Sequence, residues 1–82
     1  MHAQLTLAFT NLEAVLAKGE YDWLNIVRLL VYTTDLDGLM GHYGMFAAKL
    51  AATTPKPTIT IIGVNRLVFP ELLVEIEATA VK

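Results

Sequence analysis

The 82-residue sequence contains no cysteine and no serine. Without cysteine there is no disulfide, no thiolate metal ligand and no cysteine nucleophile. Without serine, a Ser-His-Asp triad cannot be assembled. Histidine occurs only at His2 and His42, and neither stands at metal-ligand spacing from other donors. No metal and no cofactor is therefore expected. Cations are sparse too: six Lys and Arg are scattered along the chain against eight Asp and Glu, for a net charge of −2. A nucleic-acid surface needs a basic stripe, and none is visible. No run approaches the roughly 18 uncharged apolar residues of a membrane span. Met1 is followed by His and Gln rather than by a basic segment and a small-residue cleavage site, so no signal peptide is expected. The matching expectation is a cytoplasmic protein with no nucleic-acid or membrane partner.

What is abundant is apolar surface. Apolar residues make up 55% of the chain, and the mean hydropathy is +0.52. A domain of this size buries only about 60–65% of the surface its unfolded chain exposes. One small core cannot hide that surplus, and a subunit interface is its commonest destination. A homo-oligomer is expected.

Hydrophobic periodicity sets out the elements. Leu5, Ala8, Phe9, Leu12, Val15 and Leu16 recur at helical spacing, which predicts an amphipathic helix over 2–18. Gly19 is expected to end it in a left-handed conformation, and Asp22 to cap a short turn. Residues 26–33 are apolar and β-branched, broken only by Arg28, and predict a strand covered on both faces. Asp35 or Asp37 then caps a second helix over 36–51, with Leu36, Leu39, Met40, Tyr43, Phe46, Ala47 and Leu50 as its stripe. Pro55 and Pro57 end it. Strands follow at 58–64 and 72–81, as a candidate antiparallel pair. The order helix-strand-helix-strand-strand describes an α+β domain with two helices on one sheet face.

Few residues carry chemistry. In the last strand Glu75 and Glu77 share a face with Leu73 and Thr79, while Val74, Ile76, Ala78 and Ala80 take the other. Either the glutamates form a wet strand face, or one is a proton donor or acceptor in a cleft, a role that needs partial burial to raise its pKa. Gly38, Gly41 and Gly44 recur every third residue. They either allow another chain or ligand to approach closely, or reflect tight packing and a loosened helix. Tyr21 and Trp23 are expected to plug a core edge or an interface.

Three stretches together resemble the Rid family, the YjgF-like reactive-intermediate imine deaminases also labelled endoribonuclease L-PSP. "NLEAVLAKG" is similar to the family's first helix, "VYTTDLDGL" to its core strand and the start of its second helix, and "FPELLVEIEATAV" to its closing signature. The resemblance covers nearly the whole chain. It implies a chorismate-mutase-like sheet, a homotrimer, and small-metabolite sites in clefts between subunits. It also implies that residues 1–82 form a single domain lacking the family's opening strands, since family members carry roughly a third more chain ahead of the first helix.

By the same resemblance Glu75 matches the family's cleft glutamate and is the candidate catalytic residue. Glu77 matches a second glutamate with no assigned role. Pro57, Ile59 and Tyr43 are the implied cleft-lining positions. Deaminating members hold the substrate carboxylate with an arginine at the position of Ile59, and carry an asparagine at that of Tyr43. Lys56 is no substitute for a guanidinium fork. The implied function is therefore a trimer that binds a small metabolite and is not an efficient 2-imino-acid deaminase. The alternatives are a hydrolase of a different imine or enamine, and a structural remnant without a working site. The acidic balance and the lack of paired histidines argue against a ribonuclease.

Overall fold

The computed structural model describes residues 1–82. Helix α1 runs His2–Lys18 and buries Leu5, Phe9 and Leu16. It ends in a Schellman motif: Tyr21 N–H donates to Leu16 O at 2.9 Å and Glu20 N–H to Ala17 O at 3.0 Å. The left-handed residue is Glu20, at φ 61°, while Gly19 keeps φ −93°. This corrects the expectation for Gly19, whose role is steric. A Cβ there would lie 2.7 Å from the Tyr21 ring.

A single 3₁₀ turn, Trp23–Asn25, follows. Asp22 caps it by accepting from Leu24 N–H, and Asn25 reciprocates on Asp22 N–H. Strand β1 is Ile26–Thr33. Its register against the last strand slips between Ile26 and Arg28. The extra residue, Val27, forms a bulge that turns both Ile26 and Leu29 into the core.

The expected helix 36–51 is two short helices, α2 Leu36–Met40 and α3 Gly44–Lys49. Asp35, not Asp37, is the cap, accepting from Gly38 N–H at 3.0 Å. A side chain at position 38 would collide with that carboxylate. Between the helices His42 N–H bonds Leu39 O and Tyr43 N–H bonds Met40 O. These tighter i→i−3 bonds fall where Gly41 and Gly44 lower helix propensity by roughly 1 kcal/mol each.

Strands β2, Thr58–Gly63, and β3, Val74–Ala80, flank β1 in the order β2-β1-β3. β2 is parallel to β1 and β3 antiparallel. The last two strands therefore do not pair with each other, contrary to expectation. The α2–α3 crossover makes β2 a parallel neighbour of β1, and residues 64–73 carry the chain to β1's other side. Leu5, Phe9, Leu29, Val31, Leu39, Phe46 and Val74 form the core on the helix face. Phe9 meets Phe46 edge-on at 5.0 Å and Trp23 at 5.7 Å. Leu29, Val31 and Thr33 are buried, but Arg28 is exposed and Leu30 and Tyr32 are only half-buried. The chain by itself thus covers β1 on one face, not two. The fold is α+β and chorismate-mutase-like, with its helices on one sheet face.

Candidate functional site

Three of the four candidate residues meet in one hollow of about 380 Å³, lined by Tyr43, Ala47, Leu50, Lys56, Pro57 and Ile59. The fold explains the meeting. Tyr43 stands at the start of α3, with its ring tilted against Phe46 at 5.8 Å. Pro57 leads into β2. Ile59 lies opposite Leu29 and so on the helix face of the sheet. Lys56 is committed elsewhere: its Nζ donates to Leu50 O at 2.6 Å and Ala51 O at 3.2 Å. Those carbonyls end α3, where a cation is favoured by the helix dipole. The hollow thus contains no side-chain cation free to grip an anion.

Glu75 is not part of it. It lies opposite Tyr32 on the sheet face turned away from the helices. β1 separates β3 from β2, so two strand spacings, roughly 10 Å, and the sheet itself intervene. Glu75 is half-buried, and its Oε1 accepts from Val68 N–H at 3.4 Å, a long bond. Glu77 lies opposite Leu30 and is exposed. A site that holds both Glu75 and Ile59 takes two copies of the chain.

The sheet face around Glu75 is mixed in character. β1 contributes Arg28, Leu30 and Tyr32; β2 contributes Thr58, Thr60 and Ile62; β3 contributes Glu75, Glu77 and Thr79. The largest hollow, about 540 Å³, lies elsewhere. It runs between α1 and the unpaired edge of β3, and residues such as Leu12, Val15 and Ile76 make it mainly apolar. Asn11 and Glu77 are its polar lining residues.

A polar cluster with no sequence signal joins α1, the 3₁₀ turn and α3. Glu13 accepts from Trp23 Nε1–H at 2.6 Å and Lys49 Nζ at 2.9 Å. The ammonium also lies 5.7 Å from the Phe9 ring centre and 5.9 Å from that of Trp23. The Trp23 bond, then Lys49, holds the Glu13 carboxyl below its usual value. Trp23 thus plugs a core edge, as expected. His2 and His42 pack edge-on at 5.9 Å, and the His42 Nδ1 pairs with Gly38 O at 2.9 Å. No three His, Cys, Asp or Glu groups are arranged to hold a metal ion, and no helix is long and apolar enough to cross a membrane.

Comparison with known proteins adds a family. The family profile described as Endoribonuclease L-PSP matches residues 1–82. No curated protein sequence gives a significant match. Among solved structures, Rv2704 from Mycobacterium tuberculosis, described as a member of the YjgF/YER057c/UK114 family, is 29% identical with a TM-score of 0.80. The match covers 89% of this chain and 60% of that one. Yeast Mmf1 is 27% identical at a TM-score of 0.80, over 90% of this chain and 57% of its own. PA3499 from Pseudomonas aeruginosa, a protein of unknown function, is 32% identical at 0.77, over 88% and 51%. The chain thus spans between about half and three fifths of these structures.

Proposed function

The chain belongs to the endoribonuclease L-PSP family of YjgF-like proteins, and on that premise we propose that it assembles as a trimer. In this reading small metabolites occupy clefts between subunits, and 2-imino acids are not hydrolysed efficiently. The hollow of Tyr43, Pro57 and Ile59 is the observation that carries the proposal. It is concave and largely apolar, and its one cation, Lys56, is held by Leu50 and Ala51 carbonyls. A carboxylate entering it meets no guanidinium fork, so a ligand whose main anchor is a carboxylate is disfavoured.

The sheet face away from the helices supports the assembly. Leu30 and Tyr32 are half-buried and Ile62 is exposed, in a chain already rich in apolar residues. A neighbouring copy that covers this face removes them from water. It also brings Glu75 into an interface, where its carboxylate can line a cleft that one copy lacks.

Glu75 supports a second reading, hydrolysis of a different imine or enamine. A half-buried carboxylate with one long hydrogen bond retains acceptor capacity for a water or a substrate proton.

Native mass spectrometry of the purified chain, gentle enough to keep bound ligands, tests the first reading. A trimer that retains a small mass is expected. A monomer, or a ladder of aggregates, overturns it. Turnover of imine and enamine substrates by Glu75→Gln tests the second: unchanged rates remove Glu75 from the chemistry.

A further inference from the structure

Beyond the Tyr43–Ile59 hollow, the opposite end of the parallel strand pair carries a different set of groups. β1 and β2 run in the same direction, and Val64 N–H donates to Thr33 O at 2.8 Å to lock their carboxyl ends together. Past those ends the chain opens a second hollow of about 380 Å³, lined by Thr34, Asn65, Arg66, Leu67 and Pro70. In open sheets with parallel strands, ligands collect outside the carboxyl ends of the strands.

Its chemistry is the reverse of that near Ile59. Lys49 is held by Glu13 and Lys82 approaches Glu20, while Lys56 is taken up by carbonyls. Arg66 takes part in neither of the chain's ion pairs. Its guanidinium offers a planar fork of donors that matches a carboxylate in bidentate fashion. The Asn65 amide adds a neutral donor. The Thr34 hydroxyl makes only a long bond of 3.4 Å to Leu72 O, so it is free to turn toward a ligand. Leu67 and Pro70 give the hollow an apolar wall. Its size lies in the range of about 300–1,000 Å³ usual for small-molecule sites.

We propose that Arg66, Asn65 and Thr34 form a binding site for a small monocarboxylic acid, with the carboxylate on Arg66 and the carbon chain against Leu67 and Pro70. Charge selects the monoanion. One guanidinium neutralises a monoanion, whereas a dianion such as phosphate keeps an uncompensated charge and loses more hydration on entering the hollow. The site lies within one copy of the chain, so it does not depend on the trimer.

The test is amide and guanidinium NMR on the full 82-residue chain at constant ionic strength. The probes are butyrate, its neutral isostere butyramide, and inorganic phosphate. Butyrate is expected to give saturable shifts at Thr34, Asn65 and the Arg66 side chain, with butyramide and phosphate at least tenfold weaker. Arg66→Gln is expected to weaken butyrate tenfold or more while the rest of the spectrum stays in place. Arg66→Lys, which keeps the charge and loses the fork, is expected to fall between. Equal binding of butyrate and butyramide overturns the proposal, as does tighter binding of phosphate. So do shifts centred on Ala47 and Leu50, which put the acid in the other hollow, or an Arg66→Gln affinity equal to that of the native chain.

Discussion

Trp23 donates its indole Nε1–H to the Glu13 carboxylate at 2.6 Å, across the end of α1. Lys49 joins the same oxygen, Oε2, from α3 at 2.9 Å. One carboxylate thus ties together three elements that meet at the edge of the core.

This tie predicts an acid sensitivity. The folded-state pKa of Glu13 is lowered from its ordinary 4.5, first by the Trp23 bond and then by Lys49. A depressed carboxylate contributes stability that is complete above its unfolded pKa and is lost as pH falls through its folded one. The window is therefore the acid side of about pH 4.5, and stability near neutrality is unaffected. Glu13→Gln keeps the shape and removes the charge. It is expected to lower unfolding stability at pH 7 by about 1 kcal/mol, since the side chain is partly solvated. Urea titrations of both proteins at pH 7 and pH 3 check this: the gap between their stabilities should narrow at the lower pH. A gap as large at pH 3 as at pH 7 would exclude the carboxylate charge as the source.

The Schellman turn predicts a gain. Glu20 holds φ 61°, which costs an L-residue roughly 1–2 kcal/mol. Glycine adopts it freely but loses more entropy on folding, roughly 0.5–1 kcal/mol. Glu20→Gly is therefore expected to stabilise the chain by about 0.5–1 kcal/mol. Its loose contact with Lys82 at 3.7 Å is exposed and is worth little. Gly19→Ala goes the other way, because its methyl meets the Tyr21 ring. Thermal melts of the two variants should move in opposite directions.

These two sites mark how far the amino-acid pattern carried. The α1 stripe, the β1 run and the cap at Asp22 are local, and their spacing alone places them. The left-handed residue slipped by one because nothing in a sequence shows the Tyr21 ring lying over Gly19. The break at Gly41–Gly44 was masked by Tyr43 and Phe46, which continue the apolar stripe across it. The Val27 bulge and the position of β1 between β2 and β3 depend on pairing between distant strands, which periodicity does not encode. The grouping of Tyr43, Pro57 and Ile59 was legible only through the family resemblance. Trp23 lies 10 residues from Glu13 and Lys49 lies 36 away, so their meeting left no pattern to find. Arg66 was unremarkable in sequence because Thr34, which lines the same hollow, follows β1 rather than β2.

Leu30 offers a direct probe of assembly. It lies mid-strand on the sheet face away from the helices, opposite Glu77 and Thr60. Leu30→Glu places a second carboxylate beside Glu77. The chain itself leaves this face open, so its fold should survive. If a neighbouring copy covers the face, an unpaired charge is buried there, which costs roughly 3–5 kcal/mol, or a hundredfold or more in dissociation constant. Sedimentation should show dissociation with an unchanged circular dichroism spectrum. An assembly of undiminished affinity would mean that another surface holds the copies together.

Ile59 shares the hollow with Tyr43 and offers a probe of what that hollow accepts. Its side chain lies on the helix face, in a hollow whose one cation, Lys56, is held by Leu50 and Ala51. Ile59→Arg supplies the missing fork among largely apolar walls. A charge-assisted, bidentate contact is worth roughly 1.5–3 kcal/mol, so a small carboxylate should gain about tenfold to a hundredfold in affinity there. The gain should appear at Ala47 and Leu50, away from Arg66. Hydrolysis of 2-imino acids by the same variant then separates two causes. If binding and turnover both rise, the arginine alone was wanting, and Glu75 of a neighbouring copy completes the site. If binding rises and turnover does not, Tyr43 or another feature of the site also blocks the chemistry. Should neither rise, the hollow is not where the substrate of this fold binds, and its convergence of Tyr43, Pro57 and Ile59 serves packing alone.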